Sequence, residues 1–188
     1  MAHAECLQRI LAQPLSYLHP QRLSLPAQFD GAEARRLLDR MLLEGLDLQG
    51  SWPSTPLSAV GHLWIDHWRA LPYIARLMGT YRVLPDLAQG AALLRLPLSL
   101  RRFAGYRLGT RRGASIEGSS DPLEQVEAAG LNALWSWREQ VPPMLLERLI
   151  LQFSEPVVSL SRQWPITEPD PALFFLAVQH ARRYPNPD

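Results

Sequence analysis

His62, Asp66 and His67 form the densest group of potential metal ligands in the chain, and their spacing argues against a metal centre. His62 and Asp66, four apart, share one face of a helix. His67 lies five residues from His62, about 140° further round at 3.6 residues per turn. Zinc-protease helices place two histidines four apart with a glutamate beside the first, and that pattern is absent. His67 also falls on an apolar stripe, where a core histidine is the ordinary reading. All 19 basic residues are arginine, which excludes a phosphate-loop lysine, a Schiff-base lysine and a Ser–Lys pair. The chain has no Gly-x-Ser-x-Gly and no glycine-rich phosphate loop. Cys6, the single cysteine, shares a helical face with Ile10 and reads as packing. One cysteine also excludes an internal disulfide framework and a cysteine-rich zinc site. No catalytic residue, cofactor or metal is assigned, and the chain reads as a binding protein rather than an enzyme.

Binding chemistry has better candidates. Trp64, Trp68, Tyr73, Tyr81 and Tyr106 are interleaved with Arg69, Arg76, Arg82, Arg95, Arg101, Arg102 and Arg107. Such a mixture can hold single-stranded nucleic acid, but a net charge of +1 lacks the required basic excess. Trp, Tyr and Arg are equally the preferred anchors of protein interfaces, and internal packing of Trp68 and Tyr73 remains the competing reading. Charge is segregated: residues 95–112 carry +6 with no carboxylate, and residues 117–155 carry −5. The two segments either form opposite faces that steer partners or fold against each other. The interface candidates are Trp68, Arg69, Tyr73, Arg101, Arg102, Arg107, Arg111 and Arg112, with Glu124 and Glu127 on the acidic side.

The elements that must position these residues are helical. Leu57, Val60, Trp64, His67, Leu71, Ile74 and Met78 repeat at steps of three and four and mark one buried stripe. Pro72 interrupts it without changing its phase, so a kinked continuous helix is expected, opened by Pro56 and ended by Gly79. Asp30 and Glu33 have capping-box spacing ahead of Leu37, Leu38, Met41 and Leu42, with Gly45, Gly50 and Trp52–Pro56 closing that helix. Short helical pieces are expected around Pro85–Gln89 and Ser99–Tyr106. Asp121-Pro122 starts a helix reaching Gln140 whose stripe is Leu123, Val126, Gly130, Leu134, Trp137 and Val141. Gly130, flanked by alanines, would admit a second helix closely. Pro142-Pro143 opens the next helix, and Asp170-Pro171 caps the last.

The expected fold is all-α: a single irregular helical bundle domain of residues 1–188 with about six to eight helices. An N-terminal segment (1–30) contains a proline-rich turn, residues 109–120 form an exposed loop and residues 184–188 a frayed tail. Glu155–Arg162 is the one tempting strand, weakened by Pro156. The run Ala172–Val178 has seven consecutive apolar residues, short of the ~20 needed to span a bilayer. The N-terminus lacks the basic cluster and apolar stretch of a secretory signal, and a cytoplasmic location is expected.

Pro14-Leu-Ser-Tyr17-Leu18-His19-Pro20 with Leu25-Pro26 resembles the N-terminal signature of the type III secretion K-type proteins. Trp68-Arg-Ala-Leu71-Pro72-Tyr-Ile-Ala-Arg-Leu77-Met-Gly79, Leu84–Gly90 and Arg101-Arg102-Phe103-Ala104 resemble the central region of the same SctK family. That family includes YscK and PscK and, more distantly, OrgA and MxiK. Gln13 stands where some relatives carry a cysteine. The resemblance implies a cytoplasmic sorting-platform subunit of the injectisome, peripheral to the inner-membrane secretion apparatus. Such a subunit joins the cytoplasmic forkhead-like domain of the inner-membrane ring protein to the pod-forming C-ring protein, without nucleic acid and without inserting into the membrane. A helical secretion chaperone or regulatory protein that binds an exported substrate is the alternative.

Overall fold

Proline and glycine punctuation cuts the chain into short helices, and each start has a local chemical cause. The computed structural model describes residues 2–26, 29, 31–48, 56–89, 91–106, 108 and 121–185. Regular structure among them is helical throughout. The α-helices are α1 (Ala2–Ala12), α2 (Ala32–Gly45), α3 (Ala59–Asp66), α4 (Leu71–Arg82), α5 (Leu84–Gln89), α6 (Leu98–Ala104), α7 (Pro122–Trp135), α8 (Pro143–Leu149), α9 (Glu155–Arg162) and α10 (Pro171–Arg183). Short 3-10 turns stand at Pro14–Ser16, Trp68–Ala70, Ala92–Arg95 and Ile150–Gln152. The described residues thus hold more and shorter helices than the expected six to eight. Glu155–Arg162 is helix, and its Pro156 sits in the first turn, where a missing N–H costs nothing.

The stripe from Leu57 to Met78 divides into separate helices. α3 ends at Asp66 with His67 as its cap, a 3-10 turn follows, and α4 begins at Leu71 with Pro72 in its first turn. Proline removes one hydrogen bond and clashes with the carbonyl four residues back, so starting a new helix is cheaper than kinking the old one. Ser58 rather than Pro56 marks the start of α3, its Oγ accepting from Gly61 N at 3.0 Å. Gly79 does not end α4, which runs on to Arg82. α7 stops at Trp135, short of Gln140, although Trp137 and Val141 remain buried beyond it. The cap of α2 is Gly31. Asp30, Gly50, Trp52–Thr55, the loop 109–120 and the tail from Asn186 lie outside the described residues.

The chain resolves into two compact units: residues 1–69 with 138–154, and residues 70–137 with 155–188. In the first, α1 packs against α3 and the interior carries unusual polarity. Arg148 is completely buried and donates to Met144 O (3.2 Å) and Leu11 O (3.3 Å). Tyr17 donates its hydroxyl to Ile10 O at 2.9 Å. Burial raises the Tyr17 phenol well above its ordinary range, against the opposing pull of Arg148. Asp39 accepts from Leu15 N at 2.8 Å, and that bond sets the rotation of α2. With Asp39 inward, Leu37 and Met41 face out, 56% and 57% exposed, rather than forming the expected buried stripe. Leu38, Leu42 and Leu43, beside Asp39, are partly covered instead.

In the second unit α4 lies along α7, and α6 and α10 pack on α4 while α9 packs on α7. The α4–α7 contact is made backbone to backbone. A Cβ on Gly79 would lie 1.8 Å from Val126 O, and one on Gly130 would lie 1.9 Å from Ala75 O. Both distances fall inside hard-sphere contact, and helical backbones cannot yield locally. Asn132 Nδ2 stitches the turn after α9, lying 3.3–3.4 Å from the carbonyls of Ser161, Trp164 and Pro165.

Gly79→Ala or Gly130→Ala should each cost about 3 kcal/mol or more through overpacking. Gly45→Ala at the end of α2, with nothing within 4 Å of the added methyl, should be neutral or gain up to about 1 kcal/mol of helix propensity. Urea unfolding of the three variants checks the contrast.

Candidate functional site

α6 follows Pro97, and α10 starts where Asp170 Oδ1 accepts from Leu173 N at 3.0 Å. Both pack on α4 and bring residues from three distant stretches of sequence to one groove. Its volume is about 670 Å3, and its lining includes Tyr73, Leu98, Arg102, Tyr106, His180 and Arg183. An aromatic cluster frames it. Phe103 is completely buried, with its ring centroid 5.6 Å from Tyr106 and 5.2 Å from His180; His180 lies 5.0 Å from Tyr184. The Phe103 contacts are edge-on, the arrangement the ring quadrupole favours. The Arg183 guanidinium lies 5.6 Å from the Tyr184 ring centroid, in cation–π range.

The floor of the groove is polar but unsatisfied. Tyr73 is 5% exposed and His180 7% exposed, and neither Tyr73 Oη nor His180 Nδ1 has a hydrogen-bond partner. A buried polar atom left so costs about 1–3 kcal/mol. Burial lowers the His180 pKa, favouring the neutral ring. Arg102 and Arg183 are exposed, and among the described residues no carboxylate lines the groove. A second depression of about 240 Å3, beside Tyr81 and Arg82, is already committed: Arg82 binds the Thr167 hydroxyl and Asp170 caps α10.

The expected interface residues separate into groups. Tyr73 and Arg102 meet at the groove. Arg101 is half-buried, its Nε without a partner. Trp68 is buried in the other unit, its ring 5.4 Å from that of Tyr17, and Arg69 beside it is exposed. Glu124 is half-buried in the first turn of α7. Glu127 is buried and receives Arg76 Nε of α4 at 2.7 Å. Arg107, Arg111 and Arg112 lie outside the described residues. His180, Arg183 and Tyr184 were not singled out from sequence, although their spacing of three and four places them on one helical face.

His62 and Asp66, weighed above as ligands, meet His3 of α1. His3 Nε2 lies 2.9 Å from Asp66 Oδ1, and the His3 ring is edge-on to His62 at 5.1 Å. Among the described residues no group of three His, Cys, Asp or Glu has metal-holding geometry. The Cys6 thiol points to Ile65 O at 3.5 Å.

Residues 7–183 match a protein family described as bacterial type III secretion apparatus protein, OrgA and MxiK. The oxygen-regulated invasion protein OrgA of Salmonella typhimurium strain 14028s is 32% identical over 181 residues, covering 95% of this chain and 88% of that protein. OrgA of strains SL1344 and LT2 matches to the same extent. The matched family carries the OrgA and MxiK names and the matched relatives the OrgA name, names read from the sequence motifs as the more distant resemblance within the SctK group. No solved structure gives a significant match.

The lowered His180 pKa has a defined stability sign. The unfolded chain takes up the imidazole proton near pH 6.5, whereas the folded chain takes it up only at lower pH. Stability is therefore lost as pH falls through about 6.5. His180→Gln should flatten the decline of Tm between about pH 7.5 and 5, measured by thermal unfolding across that range. Asp39, whose carboxyl pKa is raised by burial, contributes with the opposite sign in both the parent chain and the His180→Gln variant, so the difference between them reads the imidazole.

Proposed function

The chain belongs to the OrgA/MxiK family of bacterial type III secretion apparatus proteins, and from that premise we propose that it is a non-enzymatic adaptor of the injectisome sorting platform. It joins the cytoplasmic forkhead-like domain of the inner-membrane ring protein to the pod-forming C-ring protein, working in the cytoplasm against the inner-membrane apparatus. The match over residues 7–183 carries this reading, because it covers both compact units. No helix among the described residues is long and apolar enough to cross a membrane, in keeping with a protein that reaches the membrane through a partner.

An adaptor needs at least two docking surfaces, and two are available. One is the aromatic–arginine groove of the second unit. The other is the outward face of α2, where Leu37 and Met41 lie exposed one turn apart; large apolar side chains clustered at a surface mark interaction sites. Arg102, read from sequence as part of a basic docking surface, keeps that role within the groove. The acidic partner surface expected on the Asp121–Gln140 segment loses Glu127, which is buried and engaged by Arg76, and keeps Asp121, Glu124 and Glu139.

Size-exclusion mixing tests the proposal. At micromolar concentration the chain should co-elute with the inner-ring cytoplasmic domain and with the C-ring protein. Leu37→Glu with Met41→Glu should weaken one of the two complexes by about tenfold or more while leaving the other intact. Co-elution with neither protein overturns the adaptor reading. Capture of an unfolded export segment by a dimer of the chain would point to a secretion chaperone instead.

A further inference from the structure

We infer that the groove between α6, α10 and α4 binds a short acidic segment of a partner protein, one that carries Asp or Glu beside an aliphatic or aromatic side chain. The inference rests on reading the groove as a docking surface and adds the chemistry of its occupant.

Three observations within one unit converge on that chemistry. The first is charge: Arg102 and Arg183 are exposed at the groove, and among the described residues no carboxylate lines it. In the same unit Arg76 is paired with Glu127 and Arg82 with the Thr167 hydroxyl, whereas Arg102 and Arg183 stand together at an apolar-walled groove. A guanidinium presents a planar fork matched to a carboxylate. The second is apolar surface. Leu98, Tyr106 and Tyr184 are 52%, 42% and 46% exposed, and Pro97 and Pro185 extend the same wall. The third is the floor, where buried Tyr73 Oη and His180 Nδ1 lack partners. A hydroxyl held dry and unpaired in the free chain is satisfied when a carbonyl or carboxylate oxygen arrives.

Size and sign separate the peptide from other anions. About 670 Å3 lies within the roughly 300–1,000 Å3 of ordinary ligand sites, room for several side chains rather than a lone phosphate. Nucleic acid and anionic bilayers favour broad basic faces, whereas this chain has a net charge of +1. Two arginines set among apolar walls fit alternating acidic and apolar side chains.

The test is selection of random short peptides displayed on phage against the immobilised full chain. Enriched sequences should pair Asp or Glu with Leu, Ile, Phe or Trp. A synthetic peptide of that sequence should bind at least about tenfold more weakly to Arg102→Glu with Arg183→Glu, to Leu98→Asp, and when its own acids are changed to amides. Tyr73→Phe should weaken peptide binding without lowering Tm, an outcome that a purely packing role for Tyr73 would not give. Enrichment of peptides without acids, no enrichment, or affinity indifferent to the groove variants overturns the inference. So does binding of phosphatidylglycerol vesicles, abolished by the arginine variants, in the absence of peptide binding. The selection uses neither secretion partner, so it can fail while the adaptor reading stands, and co-elution can fail while the selection succeeds.

Discussion

The contact between α4 and α7 governs the second unit, because it is made by main chain where most helix pairs use side chains. Helices normally pack with axes 8–10 Å apart, separated by interdigitated side chains. At Gly79 and Gly130 that layer is missing, and each glycine meets a carbonyl of the facing helix. The Arg76–Glu127 pair bridges the same two helices at 2.7 Å, from a half-buried position where an ion pair fixes orientation more than it adds stability. Once α4 is held in this way, the faces left to it receive α6 and α10. The groove is the space those two helices leave between them, so its walls are located by a contact on which none of its own residues depends.

The first unit is organised differently, by cations that bind main-chain oxygen. Arg148 is buried against the carbonyls of Leu11 and Met144. Arg22 reaches Phe153 O at 2.6 Å and Ile150 O at 3.0 Å, beside the His19 N–H that donates to Leu151 O. Leu11 O lies in the last turn of α1, where carbonyls lack an intrahelical donor, whereas Ile150 O, which already accepts from Phe153 N, gains a second donor. The favourable interaction of a cation with a helix C-terminus works in the same direction. Asp39 does the converse for the Leu15 N–H.

What could be read from sequence was whatever depends on neighbours along the chain. The starts at Asp121-Pro122, Pro142-Pro143 and Asp170-Pro171 follow from cap chemistry confined to a few residues, and each helix begins there. The small surface at Gly130 was legible for the same reason. Its counterpart was not: Gly79 reads as a terminator unless the opposing helix is known. The outward face of α2 was equally hidden, since Asp39 answers to Leu15, 24 residues away. At the groove, Tyr73 and Arg102 stood out by type, whereas His180 and Arg183 join them only through the packing of α10 on α4. Arg107, Arg111 and Arg112 were read from charge alone.

The carbonyl acceptors of Arg22 and Arg148 have a consequence for how this chain can change over evolutionary time. A guanidinium paired with a carboxylate can be exchanged together with its partner, and such paired exchanges leave a correlated trace in related sequences. An oxygen of the main chain is supplied by whatever residue occupies the position, so no second substitution can compensate for losing the arginine. Leu11, Met144, Ile150 and Phe153 can drift in identity while continuing to accept the same bonds. A search for correlated pairs would therefore pass over these main-chain bonds, although they tie distant stretches of the first unit together.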